Sequence, residues 1–134
     1  MTPELTYLLW GVILLLVHVI VQATLSDLSK GLGWALGPQD EPRDQNAVAD
    51  RVQRALRNYL ETFPAFVALA LILTVTDRGT DMSALGAAIW FWARIAYIPI
   101  FASGIPLLRS AAWFASVVGL VLMILAALSS TPAA

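Results

Sequence analysis

The chain contains no cysteine, so a disulfide framework, a cysteine nucleophile and a thiolate metal site are all excluded. It has a single histidine, too few to build a histidine metal site. Charge is scarce: Asp, Glu, Lys and Arg make up 13% of the 134 residues, against 59% hydrophobic residues. A mean hydropathy of +0.76 is too high for an ordinary soluble domain and fits an integral membrane protein. The net charge of −1 singles out no anionic partner, and no nucleic-acid partner is expected. The first apolar segment lacks a basic leader and an obvious small-residue cleavage site, so we read it as a retained span.

What is present is a series of apolar runs separated by polar turns. Spans are expected at about 5–25, 60–76, 84–102 and 110–128, each long enough to cross ~30 Å of hydrocarbon. The fold class is therefore all-α, a four-helix membrane bundle forming a single domain over 1–134. Thr2-Pro3-Glu4 reads as a helix start: a hydroxyl cap, a proline in the first turn and an acid at the positive dipole end. Within the first span His18 and Gln22 are four apart and share a face, which predicts interhelical hydrogen bonding. The connection from Asp27 to Asp50 is broken by Gly31, Gly33, Gly37-Pro38 and Pro42. A helix resumes near Ala47 and continues into the second span, so it projects beyond the bilayer. Ser129 to Ala134 is a polar tail.

The most informative stretch runs from Arg54 to Pro64. Arg54, Arg57, Asn58 and Glu61 fall at i, i+3, i+4 and i+7, one stripe of a helix entering the membrane. Pro64 removes a backbone donor and frees the carbonyl of Leu60 beside Glu61. In the third span Arg94, Tyr97 and Phe101 form another stripe, and Arg109 opens the fourth with Trp113 one turn on. Basic residues concentrate on one side: Lys30, Arg43, Arg51, Arg54 and Arg57 in and after the first loop, and Arg109 after the third, against Arg78 alone opposite. The first and third loops are thus expected to be cytoplasmic. Charged groups from three helices then meet at one depth, with arginine in excess, a composition suited to an anionic ligand. A carboxylate at that depth needs a partner, so Glu61 is expected within ion-pair reach of Arg94 or Arg57, in its own or a neighbouring subunit.

Arg-Ala-Leu-Arg-Asn-Tyr-Leu-Glu-Thr-Phe-Pro-Ala-Phe (54–66) resembles the second-helix signature of the MAPEG superfamily, the membrane-associated proteins in eicosanoid and glutathione metabolism. Ala-Arg-Ile-Ala-Tyr (93–97) and Gly-Ile-Pro-Leu-Leu-Arg-Ser-Ala-Ala-Trp (104–113) are similar to its third- and fourth-helix signature. The resemblance covers nearly the whole chain and implies a homotrimer with glutathione in a cytoplasmic-side cleft between subunits. It implies that Arg54, Arg57, Asn58 and Glu61 hold the charged ends of glutathione, that Arg94 and Tyr97 line the same cleft, and that Arg109 is the catalytic residue stabilising the thiolate. A guanidinium lowers a thiol pKa from ~8.5 and so raises the nucleophilic fraction. Where synthase-type members carry tyrosines, this chain has Phe101 and Trp113, and neither offers a phenolic hydroxyl. The tryptophan resembles the bacterial branch, which implies a bacterial inner membrane as the location. Glutathione binding carries over; prostaglandin or leukotriene synthesis does not.

The leading expectation is a glutathione-dependent membrane enzyme, of transferase or peroxidase type, acting on lipophilic electrophiles that enter from membrane lipid. The alternatives are a non-catalytic ligand-binding or scaffold protein that keeps the bundle, and a small transporter. The transporter reading is weakened because the first span carries no membrane-embedded acid.

Overall fold

The computed structural model describes residues 1–131; residues 132–134, the end of the polar tail, lie outside the described residues. The helices are α1 (Pro3–Lys30), α2 (Leu32–Ala35), α3 (Ala47–Val75), α4 (Asp81–Ser103) and α5 (Pro106–Ser129). α1, α3, α4 and α5 are each long and apolar enough to span a membrane. Short links join α3 to α4 and α4 to α5, a longer connection carrying α2 joins α1 to α3, and the four long helices pack as a bundle.

Local chemistry sets the helix ends. Thr2 Oγ1 accepts the Leu5 N–H at 3.3 Å, Asn46 Oδ1 accepts the Ala49 N–H at 2.8 Å, and Thr80 and Ser83 form a reciprocal capping box. α4 ends on Gly104, whose φ of +78° is left-handed, and Pro106 starts α5 two residues later. α3 has 29 residues; at ~1.5 Å per residue it is roughly 43 Å long, more than the ~30 Å hydrocarbon layer. Its first turns therefore stand outside, as the sequence suggests, and it runs unbroken through Pro64.

The core follows α3. Tyr59, Phe63, Phe66, Ala70 and Leu73 are all buried and alternate spacings of four and three, the seam of a left-handed helix pair. Trp90 of α4 stacks on Phe66 with centroids 4.0 Å apart and planes 6° off parallel. Elsewhere small residues bring backbones together. A Cβ added to Gly86 would lie 2.6 Å from the Gly119 carbonyl oxygen, and one on Gly119 would lie 2.8 Å from the Trp90 nitrogen. α4 and α5 are thus in backbone contact, the usual means of tight helix association in lipid.

α1 is built the other way round. Its buried residues are Glu4, Gly11, His18 and Ser26, while Leu9, Trp10, Ile13, Leu16, Val17 and Ile20 are exposed on the outside of the bundle. In lipid this is the favourable arrangement, because an outward leucine is still in an apolar solvent. Ser83 Oγ donates to Glu4 Oε1, and Tyr59 Oη donates to the Gly11 carbonyl at 2.6 Å. The expected His18–Gln22 hydrogen-bonding face is not found. His18 is buried edge-on to Tyr59 at 6.1 Å, and neither ring nitrogen has a hydrogen-bond partner among the described residues. The Tyr59 hydroxyl donates its proton to the Gly11 carbonyl instead.

Candidate functional site

Where α3, α4 and α5 meet at the first-loop end of the bundle, they border an open cavity of about 450 Å³ lined by Arg54, Arg57, Asn58, Glu61, Tyr97, Phe101, Arg109, Ser110, Trp113 and Phe114. That volume falls in the ~300–1,000 Å³ range of small-molecule sites. A groove of similar size at the other end, between α1 and α4, has an almost wholly apolar wall, including Tyr7, Trp10, Phe91 and Trp92. Convergent polar groups distinguish the first cavity as the candidate site.

The geometry follows from helix periodicity. Ala55 and Tyr59 are buried in the core, so the neighbouring stripe of Arg54, Arg57, Asn58 and Glu61 falls on the flank of α3. Arg54, Arg57 and Glu61 are exposed on the single chain and Asn58 is half-buried. α4 presents Tyr97 and Phe101, both buried. The tight α4–α5 turn brings Arg109 back against Phe101, with its guanidinium carbon 5.4 Å from the ring centroid. Arg54 approaches the same ring at 5.7 Å. Phe101 is therefore a platform for two cations from different helices. The ring does a task for which a phenolic hydroxyl is not needed.

Six of the seven residues singled out from the sequence, Arg54, Arg57, Asn58, Glu61, Tyr97 and Arg109, line this one cavity. Arg94 does not. It is buried behind the wall, where Nη1 donates to Asn58 Oδ1 at 2.7 Å and Nη2 donates to Thr62 Oγ1 at 2.7 Å. Its guanidinium carbon also lies 5.1 Å from the Tyr97 ring centroid. Arg94 thus braces two residues of the wall, and its Nε has no partner among the described residues.

The expected Glu61–arginine pair is not formed within the chain. Among the described residues the ion pair present is Arg54–Asp50 at 2.9 Å, between half-exposed side chains one helical turn apart. Arg94 is committed to Asn58 and Thr62 instead. Glu61 faces outward on the rim, so its carboxylate is left for a ligand or a second subunit.

Sequence reasoning missed Ser110 and Phe114. Both lie in or next to the motif around Arg109 and Trp113, and one turn of helical spacing places 110, 113 and 114 on one face with 109 beside them. Ser110 matters chemically: with Phe101 and Trp113 in place of tyrosines, the wall's hydroxyl donors are Tyr97 and Ser110. The cavity can therefore bind carboxylates through three guanidiniums, bind an ammonium through Glu61, and donate hydrogen bonds from Tyr97, Ser110 and the Trp113 indole.

Comparison with curated proteins finds none that matches this chain. Comparison with protein families matches residues 7–129 to the MAPEG family. The matched stretch takes in most of α1 and the whole of the cavity wall, and the chain belongs to the MAPEG family.

Proposed function

We propose that the protein is a glutathione-dependent membrane enzyme, a transferase or peroxidase acting on lipophilic electrophiles. The observation that carries this reading is the gathering of Arg54, Arg57, Asn58, Glu61, Tyr97 and Arg109 in one cavity of about 450 Å³, in a chain whose family consists of glutathione-related membrane enzymes. The residues fit glutathione, a tripeptide with two carboxylates, one ammonium and one thiol. Arg54 and Arg57 bind carboxylate, and Glu61 binds the ammonium. Asn58 adds a neutral donor, held by Arg94.

When bound, glutathione supplies a thiolate nucleophile. Arg109 provides the positive charge that favours thiolate over thiol. Tyr97 and Ser110 offer O–H groups near that charge. Trp113 and Phe114 form the apolar part of the wall, on the side from which a membrane-dissolved substrate would enter. The rim residues Arg57 and Glu61 are exposed in one chain, which supports closure of the site by a neighbouring subunit of a homotrimer. The first and third loops face the cytoplasm in this reading, where glutathione is supplied.

The replacement of phenols by Phe101 and Trp113 favours a second reading, a protein that binds glutathione without turning it over. Calorimetric titration of the purified protein with glutathione, followed by a conjugation assay with a chloronitroarene and a reduction assay with a lipid hydroperoxide, separates the two. Binding with turnover is expected. Binding without turnover selects the second reading. Absence of binding at millimolar glutathione rejects both.

A further inference from the structure

A smaller cavity of about 120 Å³ adjoins the candidate site and shares Arg54, Phe101 and Arg109 with it; the rest of its wall is Arg51, Gly104, Ile105 and Pro106. Arg51 reaches across from α3 to the α4–α5 turn, where its Nη1 donates to the Ala102 carbonyl at 3.4 Å. Its guanidinium fills the place of a side chain at position 104: a Cβ there would sit 3.2 Å from Cζ and from Nη1. Gly104 is thus required twice, by its φ of +78° and by the arginine packed on it. The N-terminus of α5 forms another part of the wall, and Ile105 gives it no side-chain cap. That end carries the positive pole of a 24-residue helix.

Three guanidiniums therefore surround a small space. The one carboxylate within ion-pair distance of any of them, among the described residues, is Asp50 on Arg54. At ~30 Å³ for each water in the liquid, the cavity holds the equivalent of about four waters. That is room for one compact oxyanion and too little for a tripeptide. The planar fork of arginine matches phosphate oxygens two at a time. The cavity lies where α4 ends and α5 begins, at the end of the bundle where the membrane surface lies.

We propose that this cavity is a binding site for a single phosphate group beside the glutathione pocket, sharing Arg54 and Arg109 with it and distinguished by Arg51. The group comes either from free phosphate or from the headgroup of an anionic phospholipid. The site does not depend on glutathione being the ligand next door, and its test is made without glutathione.

The full-length protein, purified in detergent free of phospholipid, is titrated with inorganic phosphate by calorimetry. Phosphate is expected to bind wild type, to bind Arg51→Gln about tenfold or more weakly, and to bind Arg57→Ala, altered only in the larger cavity, much as wild type. Ile105→Glu places a carboxylate on the wall without touching the Arg51–Ala102 contact and is expected to abolish binding; it carries the test if Arg51→Gln does not fold. Native mass spectrometry with phosphatidate against phosphatidylcholine then identifies the source. Selective phosphatidate retention that inorganic phosphate displaces marks a lipid headgroup site, and phosphate binding without lipid retention marks a free-phosphate site. The proposal is overturned if wild type does not bind phosphate, if folded Arg51→Gln or Ile105→Glu binds it as tightly as wild type, or if Arg57→Ala weakens it as much as Arg51→Gln.

Discussion

Arg94 donates from Nη1 to the side-chain oxygen of Asn58 at 2.7 Å, linking α4 to α3 behind the cavity wall. Arginine has no acceptor, so it must meet the oxygen of the amide. The amide NH2 is then the end left for a ligand. Asn58→Asp tests this arrangement. An aspartate would pair directly with Arg94, so thermal stability in detergent should be kept or raised. It would also remove the amide donor and add negative charge to the wall, and glutathione affinity should fall about tenfold by calorimetry, the loss of a hydrogen bond to a charged group. Equal affinity for glutathione would show that Asn58 does not face the ligand.

Arg109 and Arg57 should fail differently. Arg57 grips a charged end of the tripeptide, so Arg57→Ala should chiefly raise the dissociation constant for glutathione. Arg109 acts on the thiol, so Arg109→Ala should chiefly lower turnover and the ultraviolet absorbance of bound thiolate. Arg109→Lys keeps the charge and loses the planar fork, and it should retain part of the thiolate signal. If Arg109→Ala forms thiolate as wild type does, Arg109 is a helix-start cation with no catalytic part.

The glycine contact between α4 and α5 makes a prediction about stability alone. Gly119→Ala puts a methyl group 2.8 Å from the Trp90 nitrogen, against backbone that cannot step aside. The variant should lose ~1–3 kcal/mol of stability through overpacking, measured as a lower thermal midpoint in detergent. An unchanged midpoint would mean that the two helices part easily.

Orientation is tested by labelling. Asp44 in the first loop and Gly79 in the second are both exposed, and the chain has no native cysteine. Asp44→Cys should react with a membrane-impermeant maleimide only after the cytoplasmic face is opened, and Gly79→Cys before. The reverse pattern would place the candidate site on the other side of the membrane.

The parts of this structure legible in the sequence are those that repeat. Apolar runs longer than the bilayer is thick can hardly be anything but spans, and polar residues at i, i+3, i+4 and i+7 share a flank wherever the helix sits. That is why Arg54, Arg57, Asn58 and Glu61 could be grouped before any coordinates. Periodicity does not say which face of a membrane helix turns inward. In α1 the leucines point out and Glu4, Gly11, His18 and Ser26 point in, so reading Glu4 as a dipole-end acid missed its buried bond with Ser83. Arg94 illustrates a second limit. Its stripe with Tyr97 and Phe101 is real, but a long side chain can turn away from the cavity its neighbours line. Only the location of Asn58 and Thr62 on the next helix decides that. The Arg57–Glu61 spacing allows an ion pair, and the chain leaves it unmade.

The contact between Gly86 and Gly119 also has a mechanical side. With backbone touching from the second turn of α4 to the middle of α5 and a turn of two residues between Ser103 and Pro106, α4 and α5 behave as a single stiff strut. Tyr97, Phe101, Arg109 and Trp113 all ride on that strut, so their mutual spacing is held whatever else moves. Arg54, Arg57, Asn58 and Glu61 ride on α3, which is tied to the strut by the Arg94 bonds to Asn58 and Thr62, the Arg51–Ala102 bond and the Phe66–Trp90 stack. A slide or tilt of α3 against the strut would therefore change the spacing between these two sets of residues while leaving the spacing within each set intact.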